Sequence, residues 1–132
     1  MFEDGLIREF IEDKQYDEII KIAILNHNRP AIETGLTERQ LLHSKIIRDA
    51  DKIDIYYSLT IYSKEAVWES KDLSNDIIRD EIYREFKEDK RMNYKNRRSA
   101  ADGLVCHFAY VYDFYYKYSF CLLYTSPSPR DC

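Results

Sequence analysis

The sequence is poor in the two residues that most often break regular structure. It has three glycines and three prolines among 132 residues. Within residues 1–121 there is one proline, Pro30, and no glycine or proline lies between Gly35 and Gly103. A β-rich domain needs more turn residues than this, so the scarcity favours helices. We therefore predict an all-α helical bundle.

Cysteine is also scarce. The chain has three cysteines, Cys106, Cys121 and Cys132, and no two of them lie within four residues of each other. An odd count at this spacing predicts neither a disulfide framework nor a zinc knuckle. The simplest expectation is a reducing, cytoplasmic compartment. Cys106 lies in an apolar run and is predicted to be a small core residue.

The chain lacks the long uncharged runs that are typical of secretion or membrane insertion. Its first twelve residues carry five charged side chains, which is not the pattern of a signal peptide. The most apolar stretch, residues 104–124, contains His107, Asp113 and Lys117, and much of its apolar content is tyrosine. Because charges inside a bilayer are costly, we predict a buried helix here and no membrane partner.

There is no excess of positive charge. The net charge is −4, which argues against a nucleic acid as the partner of the whole protein. A local basic cluster surrounds Tyr94 and could contact a nucleotide phosphate or single-stranded RNA. A solvated charged loop, offset by Glu85, Glu88 and Asp89, is the favoured interpretation of this cluster. Its members are Lys87, Lys90, Arg91, Lys95, Arg97 and Arg98.

Apolar residues recur at helical spacing through most of the chain. The predicted helices cover residues 2–11, 16–27, 38–62, 74–90 and 100–120. Thr37 is the predicted N-cap of the third helix, with Gln40 completing a partial capping box. Ser74 is the predicted N-cap of the fourth, whose apolar face would contain Ile77, Ile78, Ile82 and Phe86.

The last eleven residues, 122–132, break the helical pattern and contain two prolines. They resemble a translated sequencing-adapter read-through rather than a native protein end. We predict that this segment is a disordered, non-native tail, and that residues 1–121 form one helical domain.

The predicted helix over residues 38–62 carries three aspartates, Asp49, Asp51 and Asp54. At about 100° per residue, its buried face is predicted to contain Leu42, Ile46, Ala50, Ile53 and Tyr57. Asp49 and Asp51 then lie on opposite flanks of that face and cannot both serve one site. Spacing does not choose between them, and all three aspartates could simply be solvated charges.

The segment Lys45-Ile-Ile-Arg-Asp-Ala-Asp-Lys-Ile-Asp-Ile-Tyr56 resembles the last metal-binding helix of the HD superfamily of metal-dependent phosphohydrolases. In that family an Asp in an Ala-Asp-Lys-Ile context completes a site whose other ligands, a lone His and a His-Asp pair, lie upstream. The resemblance implies that Asp51 is a metal ligand. This chain contains no His-Asp dipeptide, so the resemblance also implies an incomplete site.

The resemblance implies further roles. His27, at the end of the second predicted helix, would be a second metal ligand, although a histidine that caps a helix is an equal alternative. Lys52 would contact substrate. The metal would be Mn, Fe, Co, Ni, Zn or Mg, held weakly or not at all by this chain. His43 and His107 are predicted to be packed core histidines.

The resemblance therefore implies the C-terminal part of an HD-type phosphohydrolase that acts on a small phosphate ester or nucleotide. We expect the chain alone to be inactive. The alternative is a helical protein-interaction module that uses the tyrosine-rich face and binds no metal. Because the domain is expected to be partial, parts of Leu42, Ile46, Ile53 and the aromatic helix would be uncovered, and self-association is expected.

Overall fold

The computed structural model describes residues 2, 4–62, 76–88 and 92–125. Throughout these residues the chain forms helices and no strand, which confirms the prediction of an all-α fold. The α-helices are α1 (Asp17–Asn26), α2 (Glu38–Ile61), α3 (Asp80–Glu88), α4 (Ala100–Phe108) and α5 (Lys117–Thr125). Short 3-10 helices cover Leu6–Glu9, Lys14–Tyr16, Tyr94–Asn96 and Ala109–Asp113. No helix in the described ranges is long and apolar enough to cross a membrane.

The chain divides into two compact units, Met1–Arg48 and Asp49–Cys132, and the boundary falls inside α2. The sequence had predicted one domain over residues 1–121. The single domain over these residues stays a prediction.

The first unit is organised by α1 and the loop that follows it. Arg48 donates from Nη1 to the backbone carbonyls of Asn26 (2.9 Å) and Arg29 (2.6 Å). Asn26 in turn accepts from the backbone N–H of Glu33 (3.0 Å) and donates to the carbonyl of Ile22 (2.9 Å). These bonds satisfy the backbone of a loop that has few apolar contacts of its own.

The start of α2 follows the sequence prediction. Thr37 Oγ1 accepts from the backbone N–H of Gln40 (3.3 Å), and Gln40 Oε1 accepts from the backbone N–H of Thr37 (2.9 Å). This reciprocal pair is a capping box, with glutamine in place of the more common glutamate. By contrast, the first predicted helix is reduced to the 3-10 turn Leu6–Glu9, and Phe10 is largely exposed.

The core of the second unit lies where α3, α4 and the 3-10 segments meet. Ile82, Met92, Cys106 and Ala109 are buried together. Phe86, Tyr94 and Val105 pack against them. The prediction that Cys106 is a core residue is confirmed.

The fourth predicted helix was placed too early. Helix α3 begins at Asp80, and residues 76–79 are not helical. Two backbone groups in this stretch bond to residues at the start of α4: the N–H of Arg79 donates to Asp102 Oδ1 (3.1 Å), and the carbonyl of Ile77 accepts from Ser99 (3.4 Å). Ile77 is consequently 78% exposed rather than part of an apolar face. The predicted cap, Ser74, lies outside the described residues.

The predicted aromatic helix over residues 100–120 is not continuous. Helix α4 ends at Phe108, a 3-10 turn covers Ala109–Asp113, and α5 starts at Lys117 after an extended step. The predicted tail also differs at its first residues, because α5 continues to Thr125. The remaining tail, 126–132, lies outside the described residues.

The predicted buried face of α2 is wrong. Leu42, Ile46 and Tyr57 are each nearly half exposed, and Ala50 is exposed. The buried residues of this helix are polar or charged: Ser44, Arg48, Asp49 and Lys52. Three of these residues, Arg48, Asp49 and Lys52, are buried with hydrogen bonds or an ion pair to groups distant in sequence, since a polar group can be buried when its partners replace water.

Candidate functional site

The three aspartates of α2 have three different environments. Asp49 is 3% exposed, Asp51 is partly buried, and Asp54 is exposed. All three belong to the second unit. Their different environments separate structural from functional candidates, which their spacing in the sequence could not do.

Asp49 holds the start of α5. Its carboxylate accepts from the backbone N–H of Tyr115 (3.0 and 3.2 Å to the two oxygens) and from that of Tyr116 (3.1 Å). The hydroxyl of Ser119 donates to the same carboxylate at 2.5 Å. The first N–H groups of a helix have no partner inside the helix, and a carboxylate is well suited to bond them. Asp49 is thus a structural cap supplied from a distant helix.

Asp51 has no such structural partner. Within the described residues its carboxylate makes no hydrogen bond and no ion pair. Asp51 lies close enough to Tyr110 to affect its hydroxyl electrostatically. The pKa of that hydroxyl is raised mainly by burial, and the negative charge of Asp51 raises it further. A partly buried carboxylate that lacks a partner carries a desolvation cost. Asp51 is therefore better suited to a ligand than Asp49.

Lys52, the predicted substrate-binding residue, is 5% exposed. Its Nζ lies 3.0 Å from Oδ2 of Asp113. A buried ammonium needs such a charged partner, because its desolvation is otherwise too costly. Sequence reasoning found no role for Asp113, since no local motif links it to a residue 61 positions earlier. In this structure Lys52 serves an internal ion pair, and its predicted contact with substrate stays a prediction.

An aromatic group lies beside these charges. The ring of Tyr110 lies 5.3 Å from that of Tyr94 and 5.2 Å from that of His107, centroid to centroid. The pKa of His107 is lowered mainly by burial, and the nearby positive charge of Arg97 lowers it further. Burial also raises the pKa of Tyr94, and Tyr110 and Asp113 add to that effect. The group thus offers hydroxyl hydrogen-bond donors that remain protonated at neutral pH.

His107 was predicted to be a packed core histidine and is only partly buried, with its ring against Tyr110. His43 was predicted to be packed and is exposed. The local apolar pattern misplaced His43 because it misplaced the buried side of α2.

His27 belongs to the first unit, whereas Asp51 and Lys52 belong to the second. His27 follows the last residue of α1, and its Nδ1 lies 2.5 Å from the carbonyl oxygen of Ile24. Because a carbonyl only accepts, Nδ1 is the donor in this contact, which leaves Nε2 as the nitrogen that does not bond this carbonyl. Metal-binding histidines are commonly held in this way, but so are histidines that simply end a helix.

The residues present do not complete a metal centre. In the part of the chain that the structure describes, no three His, Cys, Asp or Glu side chains form a group that could hold a metal ion. A hydrolytic metal site generally needs about three protein ligands. Of the two predicted ligands, Asp51 belongs to the second unit and His27 to the first.

The basic cluster around Tyr94 is only partly described, since Lys90 and Arg91 lie outside the described residues. Lys87 places its Nζ 5.3 Å from the centroid of the Tyr83 ring. The backbone N–H of Arg98 donates to the buried carboxylate of Asp102 (3.0 Å). The first contact involves the Lys87 side chain and the second only the Arg98 backbone, so the interpretation of the cluster as a solvated charged loop stays a prediction.

Comparison of the chain with models of protein families, with curated proteins and with solved structures finds no match.

Proposed function

We propose that this chain is part of a cytoplasmic metal-dependent phosphohydrolase that acts on a small phosphate ester or nucleotide. Asp51 is the metal ligand that the chain contributes, and the remaining ligands come from outside the described residues. The role of His27 as a second ligand stays a prediction from the resemblance. By itself the chain has little hydrolytic activity, because one or two ligands hold a divalent ion too weakly.

One observation supports this proposal most directly. Of the three aspartates on α2, Asp51 alone is partly buried and lacks a hydrogen bond or ion pair within the described residues. Asp49, its rival in the sequence, has both oxygens occupied by the start of α5. The choice of Asp51, made from the Ala-Asp-Lys-Ile resemblance, is therefore also the choice that the hydrogen bonds favour.

The residues around Asp51 suit a phosphate ester. The Tyr110 and Tyr94 hydroxyls are donors, and the side chain of Arg97 acts electrostatically on Tyr110 and His107. Phosphate oxygens are strong acceptors, and arginine binds them well. The Lys52–Asp113 ion pair would hold α2 and the 3-10 turn Ala109–Asp113 together beside this group.

The test is a titration of the full chain with Mn²⁺, followed by nuclear magnetic resonance. We expect paramagnetic broadening centred on the backbone around Asp51, with a dissociation constant in the range of weak binding. Asp51→Asn should abolish the broadening, whereas Asp54→Asn, an exposed aspartate one turn away, should leave it unchanged. Broadening that persists in Asp51→Asn would contradict the assignment.

A second test uses the genome sequence around the gene for this chain. If the proposal is correct, the reading frame upstream of Met1 encodes a His followed by a His-Asp pair, and a protein that includes it hydrolyses small phosphate esters with Mn²⁺. Asp51→Ala in that longer protein should abolish hydrolysis. A longer protein that keeps full activity with Asp51→Ala would rule the ligand out.

A helical interaction module is the second candidate, and exposed aromatic residues favour it. Tyr118 is 71% exposed and Tyr124 is 92% exposed, and both lie on α5. Exposed aromatic rings are enriched where proteins bind one another. A chain that binds no Mn²⁺ at Asp51 but loses a partner when these tyrosines are replaced would support this function instead.

A further inference from the structure

The first unit contains an open apolar cavity that neither function uses. Its volume is about 390 Å³, and all the residues that line it belong to this unit. Most of the wall is aliphatic, and it includes the isoleucines Ile11, Ile19, Ile20, Ile24, Ile46 and Ile47. Binding sites for small molecules commonly have this size and an apolar wall of this kind.

Two polar groups lie along one side of the cavity. Arg39 and His43 both line it and are four residues apart on α2, so they lie on the same face of the helix. The guanidinium of Arg39 lies 5.5 Å from the centroid of the Tyr16 ring, which also lines the cavity. Neither Arg39 nor His43 makes an ion pair or hydrogen bond within the described residues.

An apolar wall with a cation on one side is complementary to an amphipathic anion. The geometry points to a binding site for an aliphatic monocarboxylate, with its chain among the isoleucines and its carboxylate on Arg39 and His43. The Tyr16 ring holds the guanidinium at the cavity by a cation–π contact. Arginine offers a planar pair of donors that matches a carboxylate, and His43 adds a further donor one turn along.

The volume sets the length of the ligand. At about 30 Å³ for a water-sized group, the cavity has room for roughly a dozen non-hydrogen atoms. Decanoate is of that size. The net charge of the chain is −4, so attraction of an anion must come from the local guanidinium and not from the protein as a whole.

The experiment is a nuclear magnetic resonance titration of the full chain with labelled isoleucine methyl groups. Three ligands of one chain length are compared: decanoate, decan-1-ol and decylammonium, each below its micelle concentration. We expect saturable shifts of the cavity isoleucines with decanoate and at least fivefold weaker binding of the other two. Equal affinities for the three ligands would show that the cavity binds any apolar chain regardless of its head group, and this would overturn the proposal.

Variants then locate the head group. Arg39→Gln should weaken the binding of decanoate by about five- to tenfold and leave the affinity for decan-1-ol unchanged, because only the anion bonds the guanidinium. Lys21→Gln removes an exposed positive charge of the same unit that does not line the cavity, and it should change neither ligand. Arg39→Gln without effect on decanoate would overturn the proposal. Methyl shifts that depend on protein concentration but not on decanoate would also overturn it, because a second copy of the chain would then cover the cavity.

Discussion

The buried carboxylate of Asp49 bonds three groups at and before the start of α5. It accepts the backbone N–H groups of Tyr115 and Tyr116 and the hydroxyl of Ser119, all of them more than 60 residues away along the chain. A helix cap usually comes from the residue just before the helix. Here it comes from α2, so a single side chain joins two helices of the second unit and fixes where α5 begins.

Asp49→Ala should destabilise the second unit by about 2–4 kcal/mol, because it removes a cap and leaves buried donors without an acceptor. Asp54→Ala is the matched control: Asp54 lies on the same helix but is exposed, and its loss should cost less than about 0.5 kcal/mol. Urea unfolding measures both. Equal stabilities of the two variants would show that the cap contributes nothing.

At the scale of the elements, features set by residues close in sequence could be predicted, and features set by contacts between distant residues could not. The Thr37–Gln40 capping box was predicted because its partners are three residues apart. The break in the aromatic helix was not predicted, because Tyr56 and Asp49 impose it from α2. The buried side of α2 was wrong for a related reason: Arg48 and Asp49 are buried by bonding backbone groups that no periodicity can show.

Tyr56 holds the 3-10 turn that separates α4 from α5. Its hydroxyl donates to the carbonyl of His107 (2.8 Å) and accepts from the backbone N–H of Val111 (3.0 Å). Burial raises the pKa of this hydroxyl to about 12, so it remains a donor at neutral pH. The turn therefore depends on a side chain some fifty residues away rather than on its own sequence.

Tyr56→Phe should cost about 1–2 kcal/mol, because the Val111 N–H loses its acceptor while the ring is kept. Amide hydrogen exchange at Val111 should also become faster. Tyr57→Phe is the matched control, since the neighbouring ring is 46% exposed and its hydroxyl has no hydrogen-bond partner within the described residues. Similar exchange rates at Val111 in both variants would contradict this role for Tyr56.

At the scale of the whole molecule, the notable property is the amount of apolar surface that is exposed. Leu42 and Ile46 in the first unit are each close to half exposed. In the second unit the exposed residues include aromatic ones, with Phe108, Tyr118 and Tyr124 each more than half exposed. Exposed apolar surface of this kind drives association when it is contiguous.

We therefore expect the chain to self-associate as its concentration rises. Sedimentation velocity over a range of concentrations should show an increasing weight-average coefficient. Replacing Tyr118 and Tyr124 together by serine should reduce this increase, because both rings are more exposed than most others on the chain. The control replaces Tyr57 and Tyr83, which are 46% and 53% exposed and lie on α2 and α3, and it should have the smaller effect. A wild-type chain that stays monomeric at every concentration would show that this exposed apolar surface does not drive association. It would also remove the main support for the interaction module.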